Sequence, residues 1–172
     1  VIEKINSEII KSENDILDML DNLVEKRDNE WWSNFYSDKE KAIPFFKNVP
    51  DENLVSYFDL ELLKQGRALD SGCFHHIKPH RRNQYLNAVL KLLKPDGYFS
   101  MNCFNLNGGA NISDYDVYRD YSMHGGLGFS EYKLKTILET YFNILEFREM
   151  KEIENDNIFR KSFMWTTLLK KK

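Results

Sequence analysis

A strand–helix–strand unit in the middle of the chain is the tightest constraint on its fold. Arg67-Ala68-Leu69-Asp70 reads as a short strand. Tyr85, Leu86, Val89, Leu90, Leu92 and Leu93 form the apolar face of a helix, and Pro95-Asp96-Gly97 stops it as a turn. Tyr98 to Phe104 then alternates as a buried strand does. Two strands joined by a helical crossover pair in parallel, and ligands of such folds bind beyond the C-terminal ends of the strands. Two loops leave those ends. The first carries Cys73, His75, His76 and Pro79; the second, Asn105 to Gly128, is rich in Gly and Asn and has no apolar period. The second is expected to be a long surface loop of the kind that carries function.

The flanks extend this unit. Between Ile5 and Arg27 the apolar residues Ile9, Ile16, Leu17, Leu20, Leu23 and Val24 fall at helical spacing, with a break near Ser12–Asn14. A dense aromatic stretch follows, Trp31 to Tyr36 and then Ile43-Pro44-Phe45-Phe46, which reads as a short helix and a packed loop. Asp51 is placed to cap a helix through Leu54, Tyr57, Phe58 and Leu62, which Gln65-Gly66 ends. Ser130 is placed to cap another through Leu134, Ile137, Leu138 and Tyr141. Ile144–Met150 and Phe163–Leu169 are β-rich, and the polar linker between them predicts an antiparallel pair. The expected fold is an α/β sandwich, parallel strands first and an antiparallel pair last, with helices on both faces. Residues 1–28 are expected to form an amphipathic helical extension and residues 29–172 the α/β domain.

Composition narrows the functions. With 172 residues and 42% hydrophobic content, one ordinary core fits better than two. A net charge of −3 gives no pull toward nucleic acid, and the Lys170–Lys172 tail is too short for a basic arm. No apolar run approaches the ~20 residues of a membrane span. The polar face of the N-terminal helix mixes both charge signs, which favours docking or dimerisation over a membrane surface. Cys73 and Cys103 are too few for a disulfide framework, and the start at Val1 with Glu3 and Lys4 is unlike a signal sequence, so a cytoplasmic protein is expected.

Four stretches carry a family resemblance. Trp32-Ser33-Asn34-Phe35-Tyr36 with Ile43-Pro44-Phe45-Phe46 resembles an aromatic segment lying over a cofactor. Asp70-Ser71-Gly72-Cys73-Phe74-His75-His76-Ile77 resembles the end of a fourth strand and the loop after it. Leu92-Leu93-Lys94-Pro95-Asp96-Gly97-Tyr98 resembles the turn into a fifth strand, and Gly125-Gly126-Leu127-Gly128-Phe129-Ser130 the lead-in to the last helix. In this order they resemble class I S-adenosylmethionine-dependent methyltransferases of the thiopurine and tellurite-resistance branch. The resemblance implies a Rossmann-like sandwich, S-adenosylmethionine as cofactor and a small-molecule methyl acceptor.

One departure stands out. The relatives carry the kernel Asp-x-Gly-Cys twice, once in a glycine-rich cofactor loop and again after the fourth strand; here it occurs once, at Asp70–Cys73. The resemblance therefore implies a chain internally shortened near 70–71, by roughly 60 residues if two βαβ units are missing. What remains would be a truncated, mostly parallel sheet: the fused strand, the next strand and the terminal pair, with a new unpaired edge that invites a homodimer. Phe74 stands where the next glycine of the cofactor loop would lie, and its benzyl group is expected to obstruct backbone approach.

The candidate site residues follow from the resemblance: Trp32, Tyr36, Asp70 and Gly72 on the cofactor side, and His76 on the acceptor side. Two other readings stand beside methyl transfer. One is a catalytically inactive, truncated relative acting as a homodimeric binding module. The other is a metal-binding module through Cys73, His75, His76 and His80, which lacks a second ligand cluster of finger-like spacing. Gly125, Gly126 and Gly128 do not form a phosphate fingerprint and read as a flexible hinge before the Ser130-capped helix.

Overall fold

A computed structural model of the chain describes residues 10–24, 33–34, 37–38, 52–60, 68–152 and 157–172. Helix α1 spans Glu13–Leu23 and α2 spans Glu52–Asp59. Strand β1 (Ala68–Ser71) leads through two short 3-10 turns, Phe74–His76 and Pro79–Arg81, into α3 (Arg82–Leu92) and then β2 (Tyr98–Phe104). Helices α4 (Asp114–Arg119) and α5 (Glu131–Glu139) precede β3 (Phe142–Glu149) and β4 (Met164–Lys171).

The four strands form one sheet in the order β1-β2-β4-β3. β1 and β2 pair in parallel, Asp70 opposite Met101, as a βα-crossover requires. The chain's last strand inserts between β2 and β3 and runs antiparallel to both. Three strands thus share one direction and the fourth opposes them. The expected half-sheet of fused strand, next strand and terminal pair is present, with β1 at its edge. β4 contacts β2 as extensively as it contacts its hairpin partner, a placement that strand periodicity does not carry.

Alternation along β2 separates two faces. Phe99, Met101 and Cys103 point to one side, where they pack with Leu169 and Phe142 against Leu86, Val89 and Leu93 of the α3 region and Leu134 and Leu138 of α5. Each such aliphatic side chain contributes about 1.5–3 kcal/mol on burial. On the other side, Leu54 and Tyr57 of α2 pack against Tyr98 and Leu168. There the Tyr57 hydroxyl donates to Glu146 at 2.9 Å and Asn53 Nδ2 donates to Ser100 Oγ at 3.2 Å. Helices therefore cover both faces.

Local chemistry sets the element ends. The break expected near Ser12–Asn14 is the start of α1: Ser12 accepts from Asp15 N at 3.3 Å, and the Asp15 carboxylate accepts from Ser12 N at 2.8 Å. Ser130 caps α5 as expected, accepting from Lys133 N at 3.2 Å. Asp96 takes a φ of 59° in the Pro-Asp-Gly turn, where Gly97 N donates back to Lys94 O at 2.9 Å. In β3 the register slips between Ile144 and Glu146, so Leu145 bulges outward. The segment after β2 departs from expectation. It contains α4, opened by a second reciprocal cap between Ser113 and Asp116, and it buries Val117, Leu127 and Phe129 completely. Among the described residues, no helix is long and apolar enough to cross a membrane.

Candidate functional site

Asp70 is the last buried residue of β1 and builds the turn that follows it. Its Oδ1 accepts from Cys73 N at 2.7 Å, and its Oδ2 accepts from the Tyr85 hydroxyl of α3. Burial pushes the carboxyl upward from the usual range, while these hydrogen bonds hold it down. Both oxygens are spent inside the protein, where they pin turn to helix. Gly72 continues the ladder by donating to Asn102 O at 3.2 Å, then turns the chain with a φ of 94°.

Phe74 does not stand over this turn. Its ring is fully buried and packs on Tyr85 and Phe129, with centroids 5.8 and 5.7 Å away. The expected obstruction is absent because the 3-10 turn after Cys73 rotates the benzyl group into the core. That rotation leaves the backbone at Gly72 open to approach.

The same 3-10 turn splits the two histidines. His75 is buried and stacks on Phe104 of β2 at 3.5 Å between centroids, with 18° between planes. Its Nδ1 accepts from Phe104 N at 3.4 Å, and its carbonyl accepts from Leu127 N at 2.9 Å. Burial, and next the neighbouring His76, push its pKa down to about 3, so the imidazole is neutral at physiological pH. His76 is exposed, with its ring centroid 4.3 Å from that of His75. Cys73 is exposed too; burial of its thiol and the nearby Asp70 raise its pKa, so it is a poor nucleophile.

The loop after β2 closes over this corner. Asn105 and Ala110 form single parallel bridges with Phe129 and Leu127. Gly128 N donates to Ala110 O at 2.8 Å and Phe129 N to Phe104 O at 3.0 Å. A Cβ added at Gly109 would lie 2.6 Å from Gly128 N, and one at Gly128 would lie 2.8 Å from Asn105 O. The expected hinge is instead a laced crossing of two backbones, and its glycines are there because nothing larger fits between them. Ser162 and Glu149 take the Asn105 amide at 2.7 and 3.4 Å, anchoring the loop to the terminal hairpin.

Below the corner, charge holds the helices. Arg82 is almost fully buried, donates to Asp114 Oδ2 at 2.7 Å and lies 5.0 Å above the Phe129 ring. Lys133 donates to the other Asp114 oxygen at 2.8 Å, and these cations hold the Asp114 carboxyl below its ordinary range against burial. One clamp thus joins α3, α4 and α5. A second joins α1: Asp21 receives Arg81 at 2.8 Å, His80 Nε2 at 2.9 Å and Lys78 at 3.5 Å. The Tyr118 hydroxyl takes the other ring nitrogen of His80 at 2.7 Å.

Of the sequence-predicted site residues, the structure brings Asp70, Gly72 and His76 to one strand end. Trp32 and Tyr36 lie outside the described residues. The four metal candidates do not converge: His80 has both ring nitrogens engaged in the α1 clamp, and no group of three metal-binding side chains occurs among the described residues. The linear sequence does not distinguish His75 from His76, and it does not reveal the Arg82–Asp114–Lys133 clamp. The Ser113-x-x-Asp116 spacing was a signal for α4 and hence for Asp114 at its start.

No protein-family model and no curated protein matches this chain. Solved structures do. Burkholderia thailandensis 1,6-didemethyltoxoflavin-N1-methyltransferase, bound to 1,6-didemethyltoxoflavin and S-adenosylhomocysteine, is 22% identical with a TM-score of 0.44, over 62% of this chain and 44% of that one. TehB from Haemophilus influenzae is 15% identical with a TM-score of 0.39, over 71% and 48%. The N-methyltransferase NodS from Bradyrhizobium japonicum, in complex with S-adenosylhomocysteine, is 10% identical with a TM-score of 0.37, over 63% and 49%. The chain spans about half the length of each. A likeness at this level transfers no residue role and no activity.

Proposed function

We propose that the chain is built for methyl transfer from S-adenosylmethionine to a small-molecule acceptor, and that the described half-sheet carries the acceptor side of that site. The observation that supports this reading is the β1–α3–β2 unit. It gathers Gly72, His75, His76 and the glycine crossing of the 105–129 loop at the C-terminal ends of two parallel strands, where α/β folds bind ligands. Methyl transfer from a sulfonium asks mainly for positioning and exclusion of water, which a laced loop over a strand end provides.

The fit to the cofactor is divided. Gly72, with its positive φ and with Phe74 turned inward, suits close approach of a ligand to the turn. Asp70 does not suit the ribose hydroxyls, because Cys73 N and Tyr85 occupy both of its oxygens. In this reading Asp70 shapes the turn, Gly72 borders the cofactor, His76 faces the acceptor, and Trp32 and Tyr36 complete the cofactor side. Cys73 and Cys103 are free thiols, in keeping with a reducing cytoplasm.

Calorimetric titration of the full chain with S-adenosylmethionine tests the reading. Saturable one-site binding is expected, and its loss in a folded Gly72→Val variant; a flat titration of the unaltered chain overturns it. A second reading has its own observation. β1 ends the sheet and, among the described residues, no strand lies beyond its outer edge, beside which Leu69 is exposed. A catalytically silent homodimer joined there would sediment as a dimer and give the flat titration; a compact monomer removes it.

A further inference from the structure

The ring of His75 can be followed atom by atom. Nδ1 accepts from Phe104 N. Cε1 faces Gly72, where an added Cβ would stand 3.6 Å away, and Cδ2 faces Gly126, where one would stand 3.1 Å away. Nε2 lies between these two carbons and so points into the gap between two glycines. With Nδ1 accepting, the proton of the neutral ring sits on Nε2. Among the described residues no group accepts that proton. Although the residue as a whole is buried, Nε2 is not among the fully buried polar atoms left without a partner, so this donor lies where solvent or a ligand reaches it.

The gap belongs to the backbone. Gly72 and Gly126 hold φ values of 94° and 146°, which residues with a Cβ rarely adopt. The His76 ring forms a further wall, with Cε1 3.1 Å and Nδ1 3.3 Å from a Cβ placed at Gly126. Phe104, stacked on His75, backs the donor. The Leu127 N–H to His75 carbonyl bond ties both sides of the gap together.

We infer that this corner is a small-molecule subsite in which the Nε2–H of His75 donates a hydrogen bond to an uncharged carbonyl oxygen of a planar amide or lactam. Three features select that chemistry. The ring offers a donor and no free acceptor, so a second donor is rejected. Asp70 holds its carboxyl in the same turn, on Cys73 N, which disfavours an anion. The aromatic and glycine walls favour a flat group over a branched one. His75 does not act as a general base: Nδ1 is taken and Nε2 already carries its proton. The subsite shares the location of the proposed acceptor side and does not depend on methyl transfer.

Histidine 15N spectra of the full chain, with and without 1-methyl-2-pyridone, test this directly. This probe is planar, uncharged and an acceptor only. Without the probe, His75 should show the Nε2–H tautomer and no titration between pH 8 and pH 5; a proton on Nδ1, or titration near pH 6.5, overturns the proposal. With the probe, its Nε2–H resonance should shift saturably, with half-saturation on the order of millimolar for so small a ligand. Toluene should produce no such shift. His75→Gln, whose amide can accept from Phe104 N and still donate, should keep affinity within about threefold, whereas His75→Phe should lose about tenfold. Equal affinity in His75→Phe overturns the proposal, and if that variant does not fold, the wild-type spectra decide alone. Pyridone binding beside a flat S-adenosylmethionine titration would keep the subsite and remove methyl transfer.

Discussion

His75 and His80 lie five residues apart, both shielded from water, yet the structure uses them in opposite ways. His80 spends both ring nitrogens, on Asp21 at 2.9 Å and Tyr118 at 2.7 Å, and so rivets α1 and α4 to the second 3-10 turn. His75 spends one, on Phe104 N, and turns the other toward a gap that two glycines keep open. A fully partnered buried imidazole is structural. A half-partnered one facing a backbone gap is a place for something else to bind. The contrast extends to the surroundings: the His80 region is a lattice of ion pairs, and the His75 corner is made of glycine backbone and aromatic rings.

The largest effect should come from the crossing that closes the corner. A Cβ at Gly109 would meet Gly128 N at 2.6 Å and Leu127 C at 2.7 Å, and backbone on both sides cannot move aside. Gly109→Ala should cost about 3 kcal/mol or more, read by urea denaturation, and loosen the corner without touching the α1 clamp. An unchanged urea midpoint would mean that the two backbones are not locked together. Next is Arg82→Ala, which removes the buried end of the Asp114 pair and its packing on Phe129. With Lys133 still on the half-exposed Asp114, the cost should be about 2 kcal/mol.

Acid should destabilise the fold through both histidines, with His75 the larger contributor. The folded state keeps His75 neutral, with its pKa pushed down to about 3, while the unfolded chain protonates near 6.5. The unfolded state therefore binds the extra proton, and stability falls as pH drops from about 6.5 toward 3. By pH 5 the loss from this residue alone should reach about 2 kcal/mol. His75→Gln should remove that slope, and a variant with the wild-type slope would show that His75 is not buried neutral. His80 is lowered in the same direction by burial, with Asp21 opposing, so it adds to the acid loss. The smallest effect belongs to the partly exposed clamp on α1. Asp21→Asn should cost about 1 kcal/mol, fading in high salt, and leave the His75 spectrum unmoved.

Much of this was legible in the residues. Period-2 alternation located β2 to the residue, and Ser130 and the Pro-Asp-Gly turn marked real boundaries because caps and turns are decided locally. The half-sheet followed from comparing motifs, since length alone fits one domain. Contacts across the fold were not legible. Nothing in Phe163–Leu169 says that the last strand inserts beside β2, and nothing in Asp114 says that Arg82 and Lys133 will meet it. The site was half legible. The glycines and the His-His pair marked the region, but which histidine turns inward depends on a 3-10 turn. The inward turn of Phe74 is hidden for the same reason: its direction is set by core packing against Tyr85 and Phe129, which the linear order does not reveal.

The claim that joins these observations to the proposed function is that S-adenosylmethionine meets this chain at the ends of β1 and β2. Amide chemical-shift mapping of the full chain during titration with S-adenosylmethionine tests it most directly. Saturable shifts are expected at Gly72, Cys73, His75 and His76, together with Gly126 across the crossing, and still resonances at Asp18, Asp21 and Arg81. Shifts confined to the α1 clamp, or none at any concentration, would contradict it.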